Sequence, residues 1–178
     1  MRFLARVGGP RAAVVVLTAV AGVYMALVAF NNVTDYGSNH AFVQHVFAMD
    51  TTFGAPSAAW RAITSPALVT AAYVLIIAWE ALTAVVLLAG LGSWLAGRSR
   101  LGSLLSGTGF GMQVLLFGLG FIVIGGEWFL MWQSKQWNGL TPALQNVVIA
   151  GFGLVLVHLA GRGEPVAERV VADVERAG

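Results

Sequence analysis

Residues 67–91 read ALVTAAYVLIIAWEALTAVVLLAGL, and this stretch decides the fold. Its one charged residue is Glu80. A helix crossing the hydrocarbon core of a bilayer needs about 20 mostly apolar residues. Lipid offers the backbone no hydrogen-bond partner, so such a run must be helical. Ser65-Pro66 supplies a cap and a first-turn proline at its start. Outward from it lie three more runs of the same kind, at 12–30, 104–124 and 142–160, the last opened by Thr141-Pro142. The sequence therefore predicts an all-α membrane protein. One domain over 1–161 forms a four-helix transmembrane bundle, and residues 162–178 form a polar cytoplasmic tail.

Composition agrees with that reading. The chain of 178 residues is 58% hydrophobic and 10% charged, against about 25% charged in soluble domains. Cysteine is absent, which excludes disulfides, thiolate metal sites, c-type haem attachment and iron–sulfur ligation. The run at 12–30 follows Arg2, Arg6 and Arg11, and Ala19-Val20-Ala21 resembles a signal-peptide cleavage site. Its apolar character continues to Phe30, so a retained helix is expected.

Arginine placement orients the bundle. If the helices alternate, eight of the ten basic residues fall on one side, and only Arg61 and Lys135 fall on the other. The positive-inside rule then puts both termini in the cytoplasm of a plasma (inner) membrane. The loops 31–66 and 125–141 would face outward.

The first of these loops has structure of its own. Asn31-Asn32 and Asp35-Tyr36-Gly37-Ser38 are turn and cap residues. From Asn39 to Asp50, Phe42, Val46 and Met49 recur at helical spacing, with Phe53 following. That pattern predicts a short amphipathic helix on the membrane surface or on the bundle, broken at Gly54-Ala55-Pro56. The second loop gathers Trp128, Phe129, Trp132 and Trp137. Such rings form an interfacial belt or anchor a partner.

Ser103, Gly107 and Gly111 are spaced four apart, and Gly118 continues the run. This small-residue seam allows close helix contact, within the bundle or with another protein. Candidate partner contacts are thus Gly107, Gly111, Trp128, Trp132, Trp137, Phe42 and Val46. Among the polar residues within the spans, Glu80, Gln113 and His158 are the candidates for intramembrane chemistry. At 1.5 Å per residue, Glu80 is roughly 21 Å and His158 about 24 Å from the outer helix ends. A Glu80–His158 or Glu80–Gln113 hydrogen bond is therefore feasible in depth. Intramembrane acids are costly, and they either lock a bundle or mark a proton or ligand site.

Catalytic signals are weak. His40 and His45 are five apart, not the i, i+4 spacing that sets two ligands on one helical face. His158 alone of the histidines lies within a span, so the chain cannot supply two axial histidines to an intramembrane haem. No nucleophile motif, P-loop or dinucleotide fingerprint is present. The expectation is no enzyme, no cofactor, no metal and no nucleic-acid partner.

The segments FNNVTDYGSNHAFVQHVFAMDTT at 30–52, WRAITSP at 60–66 and AAYVLIIAWEALTA at 71–84 carry a resemblance. They resemble a bacterial family of predicted small integral membrane proteins of unknown function. The likeness extends from about Ala12 to Ala160. It implies four membrane helices and transfers no activity. A second likeness, of topology alone, is to claudins and the auxiliary subunits of glutamate receptors. Claudin-type first loops carry a cysteine pair and a strand-rich sheet, which this chain lacks.

The functional expectation is a non-catalytic accessory or stabilising subunit. Its partners would be the lipid bilayer and a larger bacterial membrane complex, foremost a transport complex for lipid or other hydrophobic cargo. A respiratory complex is the variant. The competing class is a small oligomeric carrier or sensor that uses Glu80.

Overall fold

The computed structural model describes residues 9–162. Among them are five helices and no strand. Helix α1 spans Pro10–Thr34, α2 Tyr36–Ala48, α3 Pro66–Leu95, α4 Ser99–Val114 and α5 Leu140–Arg162. Helix α4 continues without a break into a π-helix over Leu115–Trp128. Four helical stretches are long and apolar enough to cross a membrane: Arg11–Thr34, Pro66–Leu95, Ser99–Trp128 and Leu140–Ala160. Each packs on its chain neighbours, and α1 packs on α5, which closes a ring.

The spans run longer than the sequence suggested. Phe30 was the expected end of the first, but α1 continues to Thr34. Asn31 and Asn32 therefore lie in its last turn rather than in a loop. The Thr34 hydroxyl donates to the Phe30 carbonyl (2.9 Å) within that turn, and the helix stops at Asp35. The expected span 67–91 extends to Leu95, where Gly97 (φ 75°) turns the chain. The expected 104–124 becomes 99–128, and 142–160 begins at Leu140. The connecting segments shorten to 35–65 and 129–139.

The π-helix is a departure of kind. Its i→i+5 pattern is visible where the Phe129 amide donates to the Ile124 carbonyl at 3.0 Å. Runs of this length are rare, since π turns usually occur singly and often at functional sites. Gly118, Gly120, Gly125 and Gly126 lie within it. At Gly125 and Gly126 an added Cβ would meet Met131 and Leu140 side chains at 3.4 and 3.0 Å, so bare backbone there receives its neighbours closely.

The bundle interlocks elsewhere than along 103, 107 and 111. A Cβ on Gly153 would lie 2.5 Å from the Phe110 ring, one on Gly109 2.5 Å from Leu87, and one on Gly102 2.8 Å from Trp94. Gly90 receives Ser106 in the same way, at 2.9 Å. Ser106 also accepts hydrogen bonds from the Thr18 hydroxyl (3.1 Å) and the Trp94 indole (3.0 Å), which ties α1, α3 and α4 together. The Arg11 guanidinium lies 5.5 Å from the Trp94 ring centre at that end. The tail 162–178 lies beyond the described residues, apart from the last residue of α5.

Helix α2 lies across the opposite end as a cap. It starts three residues earlier than the expected 39–50 segment and ends at Met49, whose left-handed φ of 54° stops it. Val43, Val46 and Met49 are buried, whereas Phe53, expected on the same face, lies past the helix and is exposed. Phe47 stacks on Phe129 (centroids 4.7 Å apart) and Phe42 on Phe121 (6.4 Å).

Candidate functional site

Glu80 sits within α3 and is 2% exposed. Its Oε2 accepts a hydrogen bond from Asn32 Nδ2 at 2.6 Å. The extension of α1 past Phe30 is what brings Asn32 into reach. The backbone carbonyl of Asn32 belongs to the last turn of α1, where intrahelical partners run out. Tyr73, one α3 residue set closer to the cap, donates its hydroxyl to that carbonyl at 2.9 Å. Tyr73 is buried, and its ring meets Tyr36 and His40 edge-on at 4.9 and 5.7 Å. His40 Nε2 is 3.1 Å from the Thr70 hydroxyl. Helix α2 is thereby pinned over the Glu80 site.

Beneath α2 lie two adjoining cavities. One of about 270 Å³ is lined by Glu80, Asn32, Tyr73 and Tyr24, with Phe117 and Phe121 among its apolar walls. The second, also about 270 Å³, lies among Leu75, Leu116, Gly120, Ile124, Phe129 and Met131 and is almost wholly apolar. Phe42, Val43, Ile76 and Phe121 line both. The π-helix contributes to both walls.

A third, smaller cavity of about 100 Å³ lies between α1, α4 and α5. There Gln113 Nε2 donates to Asn146 Oδ1 at 2.8 Å. Asn146 Nδ2 donates to the Tyr24 hydroxyl (3.1 Å) and to the Pro142 carbonyl (2.9 Å). Gln113 Oε1 has no partner, although the residue is 1% exposed. Tyr24 lines this cavity and the Glu80 cavity alike.

The structure thus pairs Glu80, Gln113 and His158 differently from the expectation. Glu80 bonds Asn32, not His158 or Gln113. Gln113 bonds Asn146. His158 is at the surface, and its Nδ1–H donates to the Leu154 carbonyl of its own helix at 2.7 Å. Depth alone made those pairs feasible, and helix rotation decides against them.

The surface candidates divide as well. Trp128 and Trp132 are each 46% exposed, and a Cβ on Gly111 would meet nothing within 4 Å. Gly107 instead faces Val157 of α5, with 3.6 Å to an added Cβ. Phe42 and Val46 turn inward under α2, so they are not free for a partner. Trp137 is packed too: it stacks on the His45 ring at 4.6 Å and meets Phe42 edge-on at 6.2 Å. His45 Nδ1 donates to Asp50 at 2.8 Å. The Arg61 guanidinium donates to the Trp128 carbonyl (3.2 Å) at the end of the π-helix and lies 5.6 Å from the Trp128 ring centre.

Sequence reasoning missed Asn32, Tyr73, Tyr24 and Asn146. Asn32 was read as a turn residue. Asn146 carried a signal, as an amide within an apolar span. Among the described residues, no three His, Asp or Glu side chains come together as a metal site would require.

A family described as predicted small integral membrane protein (DUF2165) matches residues 10–160, and the chain belongs to that family. It is a multi-pass integral membrane protein. No curated protein and no solved structure matches it.

Proposed function

We propose that this family member is a non-catalytic binding subunit of the membrane. It holds a small hydrophobic or amphiphilic molecule beneath α2 and serves a larger membrane complex that handles such cargo. The observation that carries this reading is the pair of adjoining cavities under one helix, one with a buried acid and one almost wholly apolar. Ligand sites generally combine apolar walls with a few placed polar groups, which is the composition seen here. Rings from α2, α3 and the π-helix line the space.

The test is retention of ligand. The native protein, purified in mild detergent, should carry a hydrophobic small molecule detectable by mass spectrometry. Gly120→Leu places side-chain bulk into the apolar cavity, where an added Cβ has only Leu116 near it, at 3.9 Å. That variant should stay folded and lose the molecule. Equal retention by both proteins would count against the cavity as the binding place.

A second reading is an accessory subunit of a transport or respiratory complex with no ligand of its own. Gly111 on open surface and the half-exposed Trp128 and Trp132 favour it. Small residues allow a partner helix close approach, and tryptophan anchors interfaces. Gly111→Leu and Trp132→Ala should then co-purify less of the partner while inserting normally. Full retention of every companion would end this reading.

Both readings take the termini as cytoplasmic and the capped end as facing outward across the inner membrane, supported by the sequence order of the basic residues, eight of ten of which fall on the other side of alternating spans. Reporter fusions after Arg100 and Gly178 should both report cytoplasm. A periplasmic signal from either would reverse the assignment.

A further inference from the structure

Resting on the binding reading above, we infer that the Glu80 cavity takes an organic cation: an amine or quaternary ammonium head on a small apolar body. Three observations converge. First, the lining contains an acid and no Lys or Arg, so the one formal charge it can present is negative. Among the described residues the contact between a carboxylate and a basic side chain is His45–Asp50, on the surface. Glu80 is held instead by the neutral amide of Asn32, so the lining itself supplies no counter-ion for a charge on it.

Second, aromatic rings share the lining with the carboxyl. Tyr24, Tyr73, Phe117 and Phe121 all line the same space. The Tyr73 hydroxyl is engaged with the Asn32 carbonyl, so what Tyr73 offers is its ring. Ring faces attract cations within about 6 Å, and aromatic enclosures of this kind recognise ammonium groups. Third, most of the remaining wall is apolar. Hard inorganic cations such as calcium require about six or more oxygen ligands, which one carboxyl and two asparagine amides do not supply. An anion would meet the Glu80 carboxyl with no positive group beside it. An organic cation uses every part of the lining: its charge faces Glu80, its alkyl groups face the rings, and its apolar body lies along Phe121 and Ile76 toward the second cavity.

The test compares two molecules of the same shape. Benzyltrimethylammonium and its neutral carbon isostere, neopentylbenzene, differ in the central charge alone. The full chain is held in a maltoside detergent, which has no amine of its own. Binding is read by equilibrium dialysis and by the shift in unfolding temperature, with sodium chloride at matched ionic strength as the third arm. The ammonium compound should bind saturably, and the isostere should neither bind comparably nor compete. Glu80→Gln should weaken ammonium binding on the order of 30-fold or more, as when one partner of a desolvated charge pair is removed. Phe117→Leu should weaken it by about several-fold through the lost ring face.

Equal binding of the two isosteres, unchanged in Glu80→Gln, would overturn the cation inference and leave the hydrophobic binding reading standing. Displacement of the ammonium compound by sodium at similar concentration would make this an inorganic-cation site and overturn it as well. Binding of neither molecule, with no hydrophobe retained by the native protein, would sink both readings. If Glu80→Gln does not fold, the isostere comparison on the unaltered chain decides alone.

Discussion

Gly153→Ala tests how the bundle interlocks. The edge of the Phe110 ring lies against bare α5 backbone, and an added Cβ would sit 2.5 to 2.6 Å from three of its ring carbons. Carbon contacts are optimal at about 3.5–4.0 Å, so the ring must retreat by about 1 Å. Phe110 is fully buried in the central core and has no open side to retreat into. Overpacking of this kind costs about 1–3 kcal/mol, while replacing a helical glycine with alanine returns up to about 1 kcal/mol. A net loss of about 0–2 kcal/mol follows. Gly111→Ala is the matched control, because its Cβ meets nothing within 4 Å and only the propensity gain of up to about 1 kcal/mol applies. The two variants should therefore differ by about 2 kcal/mol in reversible unfolding, measured by denaturant titration in one mixed micelle system. If they are equally stable, Phe110 does not wedge on α5. If Gly111→Ala is the more damaging, Gly111 lies against the bundle and α4 is rotated differently.

Asn32→Ala and Glu80→Ala should show a coupling of about 0.6–1.7 kcal/mol in a double-mutant cycle, the span seen for intramembrane hydrogen bonds; additive effects would mean that the two side chains do not meet. Asn146→Ala should destabilise more than Gln113→Ala in the same unfolding titration, since Asn146 makes three hydrogen bonds and Gln113 one; the reverse order would refute the network. Arg61→Ala should speed amide hydrogen exchange around 124–131, where the guanidinium holds the carbonyls of Glu127 and Trp128, at a stability cost of about 0.5–1 kcal/mol for an exposed cation–ring contact. Unchanged exchange there would show that the π-helix ends without help from Arg61.

Much of the architecture could be read in the sequence because lipid makes strong demands. Four long apolar runs had to be helices, and they are. Helix ends were less legible. Asn31 and Asn32 look like loop residues in composition, yet helix continues through them to Thr34, since an asparagine at a helix end can stay helical without strain. That small shift carries the site: it brings the Asn32 amide to Glu80 and its carbonyl to Tyr73. Phe42 and Val46 were legible as one face of a helix, but not as a face turned inward, because a surface helix can lie on lipid or on the bundle with the same pattern.

Rotation was the quantity that spacing could not supply. Rise per residue places Glu80, Gln113 and His158 in depth, and depth agrees with several pairings. The angle of each side chain about its helix depends on how neighbours interlock, and that is set by Phe110 on Gly153 and Leu87 on Gly109 rather than by the regular run at 103, 107 and 111. The helix becomes π-helical from Leu115, and Gly118 still faces α5 as Gly107 does, where an added Cβ would meet Val147 at 3.7 Å. Each π turn holds an extra residue, so side chains beyond Val114 rotate away from their α-helical positions. Phe117, Phe121 and Gly125 then fall in line toward the cavities. Two rings of this segment, Phe117 and Phe121, thereby line the cavity that also holds Glu80.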